Sequence, residues 1–298
     1  MALYQSIASG IVSGCVYALV ALSIVLIFKA SEVVNFAGGE VVMVGAYVGL
    51  ASLTFLNLPY IAAFVFAALG LFCLGAAFNR VVLQSVLKRA RHGQRTLVAL
   101  VIATLGLSYV LKGATRLFIF TEEVRRLPPA FSGPPIFWGP VVVQLQDIAI
   151  VVISIVLMFA LYVFFQLTLT GKVLRATSQN PRAAALVGIP VQRMQLLSWG
   201  IACAISGVAG VLIGAKLPIS PDFGGQVTLL AFAAAIIGGF VSLPGVVVGG
   251  ILLGIIQNLV GVTISSTAIA VTPFVVIMLV LVFRPQGLFG GRHRIKKV

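Results

Sequence analysis

An all-α, polytopic transmembrane helix bundle is the fold class this sequence predicts, on three observations. Of 298 residues, 60% are hydrophobic and only 9% are charged, a balance foreign to ordinary globular chains. Apolar runs recur along the whole length, each long enough to cross about 30 Å of hydrocarbon, which takes about 20 helical residues. None of them alternates as a membrane barrel strand does. The third observation is the net charge of +14, nearly all of which lies between those runs or near their ends.

Taken in order, about nine spans, within a range of eight to ten, are expected at 7–28, 33–51, 60–83, 97–119, 145–168, 195–215, 227–242, 245–262 and 267–283. The first lacks a basic start and a small-residue cleavage site and is followed at once by Lys29, so it is expected to persist as an uncleaved helix. The second opens on Asn35-Phe36-Ala37-Gly38-Gly39-Glu40, an interruption where an apolar helix should be starting. Spans three to six are continuous and are separated by charged or proline-rich connections. The seventh and eighth are short and are parted by Ile237-Gly238-Gly239-Phe240-Val241-Ser242-Leu243-Pro244-Gly245. The ninth precedes Arg284-Pro285.

Laid on these spans, Lys29, the basic residues from Arg80 to Arg95, Lys172, Arg175, Arg182, Arg193, Arg284 and the basic tail all fall on one side. Lys112, Arg116, Arg125, Arg126 and Lys216 fall toward the other, together with Glu122, Glu123, Asp147 and Asp222. This positive-inside pattern predicts a cytoplasmic C-terminus and, with an odd number of spans, an outer N-terminus. The charge is read as orienting the chain and meeting anionic lipid. No basic groove interleaved with aromatics accompanies it, so nucleic acid is not an expected partner.

The sequence offers little to metal or acid–base chemistry. Cys15, Cys73 and Cys203 lie singly inside apolar runs and are expected to be small buried hydrophobes. His92 and His293 have no partnering His, Cys or carboxylate pair nearby in sequence. Around Gly171-Lys172, Val173 stands where a phosphate loop needs Ser or Thr, and Gln166 where it needs Gly. No catalytic residue, metal site or bound cofactor is therefore expected in this chain.

The two interruptions, one in each half, point to a transport path, because non-helical backbone at membrane depth must be covered or line a cavity. Asn35, Gly39, Glu40, Gly238, Gly239 and Ser242 are the candidate path residues. Glu40 has two readings: a local cap or ion pair, for instance with Lys29, or a carboxylate lining the path. Asn35 suits an N-cap. Glycines four apart recur at Gly10/Gly14, Gly45/Gly49, Gly210/Gly214, Gly245/Gly249 and Gly250/Gly254. They serve either ordinary bundle packing or a contact between two membrane chains.

Two segments outside the spans carry their own signals. In Ser178-Gln179-Asn180-Pro181-Arg182-Ala183-Ala184-Ala185-Leu186-Val187-Gly188-Ile189-Pro190, Asn180 is an N-cap and Pro181 takes the first helical position. The alanines propagate the helix, Gly188 closes it in the left-handed region and Pro190 stops it. A helix of about two turns is marginal alone, so it needs a surface; the membrane face is the other candidate surface for it. The loop 121–144, with Arg125, Arg126 and five prolines, is stiff and exposed, and is read either as a docking surface or as a connector.

The blocks NFAGGEVVMVGAY, GKVLRATSQNPRAAALVGIPVQRMQ, IIGGFVSLPGVVVGGILLG and FRPQGLFG, in that order, resemble the LivH-type permease subunit of branched-chain amino acid ABC importers. The resemblance covers nearly the whole chain and implies a single permease domain, 1–298, with a cytoplasmic coupling loop at 172–193. It implies a second related permease subunit, two cytoplasmic ATPase subunits that use ATP and Mg, and a periplasmic binding protein that docks outside, at Arg125 and Arg126 in this reading. The setting is the bacterial inner membrane, and Asn180 to Gly188 is the element that couples to an ATPase. Gly38 stands where the family often has His or Gln, and Arg182 where other import permeases carry an acid. The first departure leaves urea, short amides or other amino acids open as substrates. An ATP-independent secondary carrier is the reading from another class, and the scarcity of charges within the spans weighs against it.

Overall fold

The computed structural model describes residues 2–89, 94–118, 124–129, 133–139, 141–240 and 242–290. Glu122, Glu123, Pro140, Val241, His92, His293 and most of the basic tail lie outside the described residues.

Backbone polar groups in lipid must be satisfied within the segment, which makes helix the default here. The helices are α1 (Ala2–Ser31), α2 (Gly38–Thr54), α3 (Tyr60–Phe78), α4 (Gln84–Arg89), α5 (Gln94–Phe118), α6 (Leu145–Leu167), α7 (Leu169–Gln179), α8 (Pro181–Leu186), α9 (Val191–Gly214), α10 (Phe223–Gly238), α11 (Leu243–Thr263) and α12 (Ala268–Phe283). Six of the described segments are long and apolar enough to cross a membrane, with α3 and α4 counted as one continuous run, and α2, α10 and α12 are shorter apolar helices. Together they match the nine expected spans. One five-residue π-helical turn, Asn79–Leu83, joins α3 to α4, and its buried Asn79 accepts a hydrogen bond from Gln84 Nε2 at 3.1 Å.

The core is built around α1, apolar on all sides and buried almost without a break from Cys15 to Ile27. The glycine pairs explain how its neighbours come so close. A β-carbon on Gly14 would stand 2.7 Å from Ile251 Cα, and one on Gly254 2.4 Å from the Gly10 carbonyl oxygen. Similarly, α2 and α9 cross where Gly45 meets Gly207 and Gly210 meets the Val42 carbonyl. These pairs are thus consumed by packing within one chain, and the reading of them as a contact between two chains falls away for Gly10, Gly14, Gly45, Gly210, Gly249, Gly250 and Gly254. Ser206 donates to Ser23 at 2.7 Å across the same core. Cys15 and Cys203 are buried as expected, whereas Cys73 is exposed, because it lies on the outward stripe of α3.

The bundle has two distinguishable ends. At one, β1 (Ile136–Trp138) and β2 (Val141–Val143) form an antiparallel hairpin in the proline-rich loop, and Gln5 of α1 bonds to both the N–H and the carbonyl of Val142. Lys216 pairs there with Asp147 at 2.9 Å, and Arg116 with Asp222 at 3.1 Å. The other end carries the C-terminus of α1, the helices α7 and α8, and the tail after α12. Charges assigned to one side from sequence therefore do meet at one end.

Candidate functional site

The six candidate path residues fall into two groups at opposite ends of α10. The first group sits where α2 begins. After α1 ends, the chain turns at Glu32, whose φ is 54°, and runs back into the bundle, where Thr104 near the middle of α5 donates to the Val34 carbonyl at 3.4 Å. Asn35, 2% exposed, accepts from the Ala37 N–H at 3.1 Å. It therefore caps a turn one step ahead of the helix, and Ala37, not Asn35, holds the N-cap position. The second helix thus starts inside the bundle instead of at its surface.

The N-terminus of α10 meets it there. The Gly39 N–H donates to Thr228 Oγ1 at 2.9 Å, and Phe36 packs on Phe232 with centroids 5.6 Å apart. A β-carbon on Gly39 would lie 1.9 Å from the Gly224 carbonyl oxygen, and one on Gly224 2.9 Å from Glu40 Cα. Two helix N-termini, each the positive end of its dipole, consequently converge at the α2–α10 joint. At 16 and 17 residues these helices measure roughly 25 Å, too short to cross the hydrocarbon alone.

Glu40 occupies the first turn of α2 and is 6% exposed. Its Oε2 is buried and has no hydrogen-bond partner, and no ion pair with Lys29 forms. Lys29 instead borders a groove with Glu32, Asn180, Arg182 and Gln195 at the other end of the bundle. Two residues before Gly224, Asp222 makes no side-chain cap and turns to α5. Its hydrogen bond to Lys112, and then the charges of Lys112 and Arg116, hold its carboxyl below the usual carboxylate range.

The second group, Gly238, Gly239 and Ser242, forms the turn between α10 and α11. Gly239 has φ 92°, a conformation that glycine adopts without steric cost. Ser242 Oγ accepts from the Gly245 N–H at 3.1 Å and caps α11. The tail folds over this turn: the Leu288 N–H donates to the Ile237 carbonyl at 2.8 Å and the Phe289 N–H to the Gly238 carbonyl at 3.3 Å. Close backbone approach at this turn is made within the chain itself, by Gly238 to Gly245 and Val246 of α11 and by Gly239 to Gln286 and Gly290 of the tail. The residues that sequence reasoning passed over are Asp222, Gly224, Thr228 and Phe232, and their signal was the Ser220-Pro221-Asp222-Phe223-Gly224-Gly225 break ahead of α10.

The segment 180–188 folds as its punctuation predicts. Asn180 Oδ1 accepts from the Ala183 N–H at 3.0 Å, Pro181 opens α8, and Gly188 takes φ 84°. Val187 is the C-cap. Ala184 is buried against the chain itself, while Leu186 and Val187 are 89% and 76% exposed. Arg182 is also exposed, as are Ala183 and Ala185.

At the hairpin end, the backbone of Arg125 pairs with Ile219 as an isolated antiparallel bridge, with N–H to O distances of 3.0 and 2.7 Å. Leu127 is buried, and the Tyr60 hydroxyl donates to the Pro128 carbonyl. Arg125 and Arg126 are exposed on this anchored strand. Arg126 lines an outward recess with Gln5, Asp147 and Lys216. No cluster able to hold a metal ion occurs among the described residues.

Comparison with known proteins agrees with this architecture. Residues 6–283 match the family model described as branched-chain amino acid transport system / permease component. The chain is 30% identical to the high-affinity branched-chain amino acid transport system permease protein BraD of Pseudomonas aeruginosa, over 99% of this chain and 97% of the relative. It is likewise 30% identical to the permease protein LivH of Escherichia coli K12, over 99% and 97%. Among solved structures, PsaBC from Streptococcus pneumoniae, in complex with Fab, matches with TM-score 0.50 at 16% identity over 97% of this chain and 94% of that one, a likeness of fold. A multi-pass helical membrane protein matched over this length to that model and to these relatives belongs to the family of permease components of branched-chain amino acid transport systems.

Proposed function

We propose that the chain forms the membrane path of an ATP-driven importer for amino acids, branched-chain ones foremost, since those are what its relatives are named for. It works with a second related permease subunit, two cytoplasmic ATPases that supply ATP and Mg chemistry, and a periplasmic binding protein that delivers the substrate. The setting is the bacterial inner membrane with the α8 end in the cytoplasm, a sense of insertion supported by the basic residues gathered there.

The observation that carries the reading is α8. A six-residue helix capped at both ends, buried at Ala184 and presenting Leu186 and Val187 outward, has the form of a part made for another protein's groove. Closure of the ATPase pair moves that helix, and α7 and α9 on either side transmit the motion to the path. Asn35, Gly39 and Glu40 at the α2–α10 joint are the path residues in this scheme, while Gly238, Gly239 and Ser242 form the turn that the tail secures.

The test is uptake of labelled leucine into proteoliposomes. Uptake that requires the ATPases, ATP and the binding protein supports the reading. Uptake by this chain alone, without ATP, overturns it in favour of a secondary carrier. Uptake of urea or a short amide in place of leucine corrects the substrate.

A further inference from the structure

We infer that Glu40 is the counter-charge that receives the ammonium group of a zwitterionic substrate as it passes the α2–α10 joint. The inference rests on the reading of the chain as an amino acid permease and adds to it a residue and a discriminating chemistry. Of the six acidic residues in the chain, Glu40 is the buried one among those described. Asp222 and Asp147 are held by Lys112, Arg116 and Lys216, whereas Glu40 Oε2 is sealed from solvent without a donor. An ionised carboxylate in that state carries a desolvation penalty of several kcal/mol that an opposite charge ordinarily offsets. The converging N-termini of α2 and α10 turn the positive ends of their dipoles toward this place, a field that favours a carboxylate there.

The missing counter-charge has a recognisable form. One carboxylate, with Asn35 already engaged at Ala37 and no metal-holding cluster among the described residues, does not make a metal site. An ammonium group needs one such acceptor. The same two helix N-termini suit the carboxylate carried a few ångströms away on an α-amino acid. A neutral amide or urea can donate N–H hydrogen bonds to Glu40 but brings no positive charge to set against it. The joint closing over Glu40 is made of backbone at Gly39 and Gly224, one hydroxyl contact at Thr228 and one ring contact between Phe36 and Phe232, so few side-chain contacts resist its opening.

The test uses the reconstituted complex of permeases, ATPases and binding protein, with labelled leucine uptake normalised to assembled complex and melting temperature measured alongside. Glu40→Gln is expected to lower the maximal rate about tenfold to hundredfold, the loss of one charge-assisted contact. Its KM should be unchanged, because capture belongs to the binding protein, and its melting temperature should be equal or higher, because a buried charge is gone. Glu40→Asp, which keeps the charge, should retain more of the rate than Gln does. Equal rates in wild type and Glu40→Gln overturn the inference while leaving the permease reading intact, whereas a wild type that takes up no leucine fails at the earlier step. A Gln variant that melts lower, or does not assemble, marks a structural carboxylate and overturns it as well.

Discussion

Gly39 and Gly224 touch through their backbones: a β-carbon on Gly39 would lie 1.9 Å from the Gly224 carbonyl oxygen and 2.2 Å from Thr228 Oγ1. Backbone stands on both sides, so neither partner can rotate away as a side chain would. Gly39→Ala is therefore expected to force α2 and α10 apart, costing about 1–3 kcal/mol or more. Gly225, one residue along, has nothing within 4 Å of the corresponding position, and Gly225→Ala should melt as wild type does. Thermal unfolding of both variants in detergent checks the contrast, and equal melting temperatures would show that the joint is looser than described.

The second expectation concerns α8. Because Ala184 is buried against the chain itself, a bulky charge there would disturb the permease's own packing and report poorly on coupling. Leu186 is 89% exposed, so Leu186→Glu should leave folding untouched. It should strip the ATPase from the membrane or cut ATP-dependent uptake by about tenfold or more, as loss of a buried anchor does. Co-purification of the ATPase with the variant, at normal yield and normal uptake, would remove α8 from the coupling role.

The α8 helix also depends on its cap. Asn180 Oδ1 satisfies the Ala183 N–H at 3.0 Å, and Asn180→Ala removes that partner at a cost of about 1 kcal/mol. In a helix of six residues that loss is local, so backbone amide exchange should rise across 181–188 and stay unchanged in α9. Uniform exchange would mean that α8 is held by its packing at Ala184 instead of by its cap.

Much of this was legible in the sequence for a physical reason. Apolar runs dictate helices in lipid, so the nine spans could be read directly, and Asn180, Pro181 and Gly188 spell out α8 because capping is a local matter. The joint was only half legible. Asn35, Gly39 and Glu40 announced a break, but their partners Gly224, Thr228 and Phe232 lie almost two hundred residues away, a pairing that only the folded chain reveals. Gly238 and Gly239 are read as path residues because close backbone approach needs glycine, and the same property serves their approach to Gly245 and to Gln286. The π turn at Asn79 and the exposure of Cys73 depend on register and on neighbours, which composition does not encode.

Asp222 gives a pH expectation. Lys112 and Arg116 lower its carboxyl below the usual range, so the pair's contribution is present above the ordinary Asp range and is lost only as the pH falls through the lower folded-state value. Comparing wild type with Asp222→Asn, the difference in melting temperature should hold steady from neutrality down through mildly acidic conditions, then disappear at strongly acid pH. The carboxylate is exposed, so the difference should be small and should shrink in high salt. A difference that vanishes already at mildly acidic pH would show that the pairing does not protect the carboxylate.

The last expectation tests the hairpin end as the place where the binding protein docks. Arg125 is fixed by its backbone bridge to Ile219, Leu127 is buried behind it, and the Tyr60 hydroxyl holds Pro128, so the strand keeps its course whatever side chain it carries. Reversing both charges, Arg125→Glu with Arg126→Glu, should therefore leave the melting temperature close to wild type. What changes is the field that an acidic partner surface meets on approach, and rim charges act mainly on association rate and its salt dependence. Half-maximal stimulation of ATPase activity should then require about tenfold more binding protein at low salt, with the gap narrowing as salt is raised. Maximal stimulation at saturating binding protein should be unchanged, since α8, the proposed coupling element, lies at the opposite end of the bundle. An unaltered titration at low salt would reduce this strand to a connector and move the docking surface elsewhere on the hairpin end.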